Sequence, residues 1–165
     1  MEIFQFQDGT IYHDTTWNEM QRKIYREFKE RDVLNQYKIE NLGNDYEYFI
    51  YDSLIDTDNL DPSSTANFNP NKLVIETSSN ARELITQNYT INNSTDTCYL
   101  TIDVIGDETT LTYQVSIDDG SVWQDITSFQ DVVLSNVSNQ FKFKINIPAN
   151  SGLEINHFAL FLNKV

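Results

Sequence analysis

The octet Ser116-Ile117-Asp118-Asp119-Gly120-Ser121-Val122-Trp123 decides how the larger part of this chain is read. The Asp118 carboxylate is suited to accept hydrogen bonds from turn amides, Gly120 permits a positive φ, and the Trp123 ring can pack back over a strand pair. Alternating residues lead in through Tyr113-Gln114-Val115 and out through Gln124-Asp125-Ile126, so the octet reads as a tight hairpin between adjacent strands.

Outward from the hairpin the sequence keeps a period of two. Leu73-Val74-Ile75, Leu84 to Ile91, Cys98 to Ile105, Leu111 to Ile117, Val122 to Ile126, Val132-Val133-Leu134, Phe141 to Ile147 and Ile155 to Leu162 read as strands at short intervals. Such a series predicts a mainly β chain folded as an antiparallel β-sandwich or jelly roll. In Phe141-Lys142-Phe143-Lys144-Ile145-Asn146-Ile147 the apolar residues face one way and the polar ones the other, giving a strand with one wet face. Ile155-Asn156-His157-Phe158-Ala159-Leu160-Phe161-Leu162 becomes apolar on both sides, as in a strand covered on both faces, and the N-terminal segment is a candidate for the second cover. His157 then reads as a satisfied histidine within the fold. Neither it nor His13 has a Ser, Cys or His partner nearby in sequence.

Residues Asp52 to Asn71 are crowded with Asp, Asn, Ser, Thr and Pro and read as a connecting loop. Within it Asp56, Asp58 and Asp61 are spaced closely enough to suggest oxygen ligands for a calcium ion, without the Gly and distant Glu of an EF-hand. A solvated polar loop is the competing reading.

The first 45 residues differ in kind. Ile3-Phe4-Gln5-Phe6 and Ile11-Tyr12 flank the turn dipeptide Asp8-Gly9, and Thr16-Trp17-Asn18-Glu19 matches a helix capping box. Trp17, Met20, Ile24 and Phe28 follow at helical spacing as one apolar stripe. A hairpin and one amphipathic helix bury little by themselves, so residues 1–45 are expected to pack on residues 46–165 or to serve as a docking or oligomerisation element.

Composition narrows the function classes. Twenty-five acidic against eleven basic side chains give a net charge of −14, which repels nucleic acid over most of the surface. Six of the eleven bases lie between Arg22 and Lys38, whereas residues 49–165 carry fifteen acids and five bases. No basic start followed by an apolar stretch marks a signal peptide, and no run is apolar and long enough to insert in a membrane. Cys98, the lone cysteine, sits in an alternating run as a small buried hydrophobe. Phosphate loops, zinc-ligand spacings and nucleophile elbows are missing from the sequence.

Ser116-x-Asp118-x-Gly120-x-x-Trp123 resembles the Asp-box hairpin associated with sialidases. Those enzymes need repeated blades and an arginine cluster. One box and four arginines, three of them between Arg22 and Arg31, supply neither. Ser116, Asp118, Gly120 and Trp123 are therefore expected to be structural, and no catalytic residue is assigned.

A longer likeness joins the stretch from Tyr51 to Asp61, the strand Leu73-Val74-Ile75 and the stretch from Tyr113 to Trp123. Together they resemble the galactose-binding-like β-sandwich modules of tailed-bacteriophage structural proteins. That resemblance implies a non-catalytic virion component of a tail, neck or head fibre, assembled in the host cytoplasm. Its N-terminal element would dock to other virion proteins, and trimers are common among such fibres. The alternative is a carbohydrate-binding module for a host or environmental glycan, using acidic and Asn-rich loops.

Overall fold

The computed structural model describes residues 24, 28, 46–54, 57–70, 72 and 74–164. Among them are nine strands: β1 Tyr46–Asp52, β2 Asn67–Asn69, β3 Val74–Glu76, β4 Arg82–Ile85, β5 Tyr89–Ile105, β6 Thr112–Ser116, β7 Gln124–Ile126, β8 Asp131–Ile147 and β9 Glu154–Lys164. A single 3-10 turn, Glu108–Thr110, interrupts them after β5. The protein is thus mainly β. All strand pairings are antiparallel and follow the order β2-β3-β9-β5-β8-β6-β7, with β1 also pairing β9 and β4 also pairing β8.

β5 and β8, of 17 residues each, form the spine of this network. Their polar halves pair with one another from Tyr89 opposite Phe141 to Tyr99 opposite Asp131. Their apolar halves then diverge: β5 continues along β9, while β8 continues between β4 and β6. The sequence divides this region differently. Leu84 to Ile91 is not one strand but the end of β4 and the start of β5, whereas Val132 to Leu134 and Phe141 to Ile147 belong to the same strand. The polar runs Asn92-Asn93-Ser94 and Ser135-Asn136 resemble loops in composition, yet they lie in paired strands that accommodate register shifts around Thr95.

Alternation positions the core. Phe141, Phe143, Ile145 and Ile147 of β8 are buried, and removing each from water contributes on the order of 1.5–3 kcal/mol. Phe143 meets Phe158 of β9 with ring centroids 4.7 Å apart, although β8 and β9 are not hydrogen-bonded neighbours. Leu54, Leu84, Leu100 and Leu153 are buried in the same cluster. Thr86, also fully buried, continues the β4 ladder: its hydroxyl accepts from the Phe143 N–H at 2.9 Å and its own N–H donates to the Phe143 carbonyl at 3.0 Å. A buried polar group paired in this way avoids the cost of an unmade hydrogen bond.

β9 is covered on both faces. Ile155, Phe158, Leu160 and Leu162 belong to the main core, while Ala159 and Phe161 are fully buried in a second cluster with Tyr46. The ladder between β1 and β9 runs from Tyr46 opposite Lys164 to Asp52 opposite Phe158. The stretch read as a loop holds the short β2 and an isolated bridge between Leu60 and Thr86, and Leu60 is buried. No helix among the described residues is long and apolar enough to cross a membrane.

Candidate functional site

β6 and β7 carry the octet as a hairpin, with Tyr113 opposite Ile126 and Val115 opposite Gln124. Ser116, buried at the end of β6, donates its hydroxyl to Asp118 Oδ1 at 2.7 Å and accepts the Gly120 N–H at 2.9 Å. Asp118 Oδ1 also accepts the Val122 N–H at 2.9 Å. These bonds, the Ser116 hydroxyl first, hold the Asp118 carboxyl below its usual range. Asp119 and Gly120 both take positive φ, at 60° and 88°, so the turn uses the conformational freedom of glycine at its second tip residue. A Cβ on Gly120 would stand 3.4 Å from Trp123, whose ring lies back over the hairpin with Lys144 Nζ 4.4 Å from its centroid.

The hairpin tip is tied to the preceding loop through β8. Lys142 Nζ sits 2.6 Å from Asp61 Oδ2 and 3.4 Å from Asp119 Oδ1, and Asn88 Nδ2 donates to Asp119 Oδ1 at 2.8 Å. Asp61 also accepts the Ser63 N–H and hydroxyl at 2.8 and 2.5 Å. With Lys142 as the largest influence and Ser63 next, the Asp61 carboxyl is pushed down to about 2. This junction was not anticipated, because nothing local to Lys142 points to Asp61; its one sequence signal is that Lys142 lies on the wet face of β8. Of the other two residues weighed as calcium ligands, Asp58 lies in the turn before Leu60 and Asp56 falls outside the described residues. Among the described residues no three His, Cys, Asp or Glu side chains gather as a metal-binding group.

The remaining candidates are dispersed. Cys98 is buried, and burial, then the Asp131 charge, pushes its thiol up to about 12, so it is a poor nucleophile at neutral pH. The His157 ring packs against Tyr51 in a tilted arrangement, centroids 5.6 Å apart, with Nδ1 3.5 Å from Asp103. Ile24 and Phe28 have helical backbone and are 39% and 55% exposed, while Trp17 and Met20 fall outside the described residues. An open cleft of about 660 Å³ lies at the far end of the β6–β7 hairpin, lined by Glu108, Tyr113, Asp125, Ile126, Thr127 and Ser128 among others. Within it Glu108 Oε1 accepts the Tyr113 and Ser128 hydroxyls at 3.0 and 2.6 Å.

Four aspartates do the same local task. Asp52, Asp61, Asp107 and Asp118 each accept a backbone N–H from two to four residues onward: Leu54 at 2.9 Å, Ser63 at 2.8 Å, Thr109 at 3.1 Å and Val122 at 2.9 Å. Comparison with family models, curated proteins and solved structures yields no match. The functional reading therefore rests on the geometry of this chain.

Proposed function

We propose that the chain is a non-catalytic structural component of a bacteriophage virion, in which residues 1–45 dock to the particle and residues 46–165 are used for assembly or display. The observation that carries this reading is the role of the aspartates: Asp52, Asp61, Asp107 and Asp118 fasten turns. Side chains committed to shaping loops suit a scaffold whose surface is its function. The finer fold assignment, a jelly-roll sandwich of galactose-binding-like type, is supported by the contact of Phe143 with Phe158 between strands that are not hydrogen-bonded neighbours. Exposure of Ile24 and Phe28 supports a docking role for the N-terminal stripe. Homotrimers are the assembly expected of a fibre.

The test is particle incorporation. Assembled particles from cells expressing the full chain should contain it, and particles from cells expressing only residues 46–165 should not. Equal incorporation of both would remove the docking role. A second reading, glycan recognition, is favoured by the cleft beside Tyr113, where Glu108, Asp125 and hydroxyl groups surround the apolar Ile126. Retention of the monomer on immobilised glycans, abolished by Asp125→Ala, is the result that this reading requires.

A further inference from the structure

We propose that Asp119-Gly120 is a site of spontaneous isoaspartate formation that the fold holds in check, with Ser116, Asn88 and Lys142 as the restraining groups. The chemistry belongs to the dipeptide itself. The Gly120 backbone nitrogen gives up its proton and attacks Asp119 Cγ; a C–N bond forms, a carboxyl oxygen leaves as water, and a five-membered succinimide results. Water then adds to either carbonyl of the ring. The chain returns as aspartate or continues through Cβ as isoaspartate, with one water lost and one gained. No oxidant or cofactor enters the balance. Glycine as the second residue favours the attack, since no side chain crowds the approaching nitrogen.

Exposure alone would leave the site reactive, because the Asp119 side chain is 69% exposed. Both reacting groups are nevertheless engaged. The nucleophile is the N–H that donates to Ser116 Oγ at 2.9 Å, and Ser116 is itself buried. Attack requires that bond to be given up. The electrophile is held from two other segments: Asp119 Oδ1 accepts Asn88 Nδ2 at 2.8 Å and lies 3.4 Å from Lys142 Nζ. These contacts must also be released as Cγ turns to meet the nitrogen.

The backbone adds a further restraint. Asp119 and Gly120 have φ of 60° and 88°, and the Ser121 N–H donates to the Asp118 carbonyl at 3.4 Å. Two consecutive positive φ values closed in this way make the type I′ turn of a hairpin. Ring closure needs the Gly120 nitrogen to eclipse Asp119 Cβ, so the peptide between the two residues must rotate out of the turn. Ser116 acts from within the octet, whereas Asn88 precedes β5 and Lys142 lies on β8. Protection of the tip is therefore a property of the folded module. Isomerisation would lengthen the backbone by one carbon at this point and draw Gly120 away from Ser116. The restraint does not depend on the virion reading, since it is decided on the isolated chain.

The experiment incubates the full chain at neutral pH in heavy-oxygen water, beside the variants Asn88→Ala and Ser116→Ala and a synthetic peptide of the octet. Each passage through the ring introduces one heavy oxygen at Asp119, read by mass spectrometry of the tip peptide, and the isoaspartate form is separated by chromatography. Ile155→Val, which lowers stability at the start of β9 rather than at the tip, is the control. Turnover in the parent should be at least about tenfold slower than in the octet; Ser116→Ala should raise it about tenfold and Asn88→Ala about twofold to fivefold. Ile155→Val should match the parent. Asn88 is exposed, so its variant keeps the test open should Ser116→Ala fail to fold. A parent that turns over as fast as the octet would overturn the proposal. So would an equal acceleration in Ile155→Val, which assigns protection to global stability, or an Asn88→Ala rate equal to the parent's, which removes the restraint from outside the octet.

Discussion

Ser116 gives one hydroxyl two tasks, donating to Asp118 and accepting from Gly120. Ser116→Ala leaves the Gly120 amide without this acceptor at a buried site, and should destabilise the protein by about 1–3 kcal/mol, read as a lower urea midpoint with unchanged slope. Asp61 predicts a pH dependence of definite sign. Its folded-state value, about 2, lies below the ordinary 3.8, so the pair with Lys142 stabilises the fold at higher pH. That contribution is complete above about pH 4 and is lost as the pH falls towards 2. Asp61→Asn should flatten the acid limb of the midpoint-versus-pH curve over that window and leave the curve parallel to the parent's at neutral pH. An unchanged acid limb would show that the pair carries no linkage. The hairpin was legible in the sequence because its carboxylate, glycine and aromatic ring act within eight residues. The junction of Lys142 with Asp61 and Asp119 was not, since three separate segments meet there only after β8 is placed.

Among the elements, β8 and β9 were readable where alternation or unbroken apolarity is strong, as at Phe141 to Ile147 and Ile155 to Leu162. The polar halves of β5 and β8 were not. Asn92, Asn93 and Ser94 have the composition of a loop, and they continue β5 through the register shift between Thr90 and Thr95, whose partners Gln140 and Ser138 are distant in sequence. β1 escaped for another reason: its residues Tyr46–Asp52 show no clean period, and the strand is defined by its ladder with β9. Thr86 likewise looked like one more residue of a strand, whereas it couples β4 to the centre of β8. Thr86→Val preserves shape and removes the acceptor of the Phe143 N–H, so a loss of about 1–3 kcal/mol is expected. Thr86→Ser retains the acceptor and should recover most of that loss in the same denaturation experiment.

For the molecule as a whole, a net charge of −14 makes self-repulsion the leading long-range electrostatic effect. Raising NaCl from low to physiological ionic strength should raise the thermal midpoint, because screening relieves that repulsion while exposed pairs such as Lys72 with Glu76 contribute little. A midpoint that falls with added salt would mean that attractive pairs dominate. The meeting of Tyr46 with Lys164 has a mechanical consequence. The positions where a pull would enter and leave residues 46–164 stand opposite each other at one end of a single ladder. Tension applied there breaks the rungs between β1 and β9 in succession instead of loading them together, the geometry of a zip. Modules joined in series through these two points would yield at low force and lengthen stepwise, with β1 acting as a slack reserve that re-forms when the load is released.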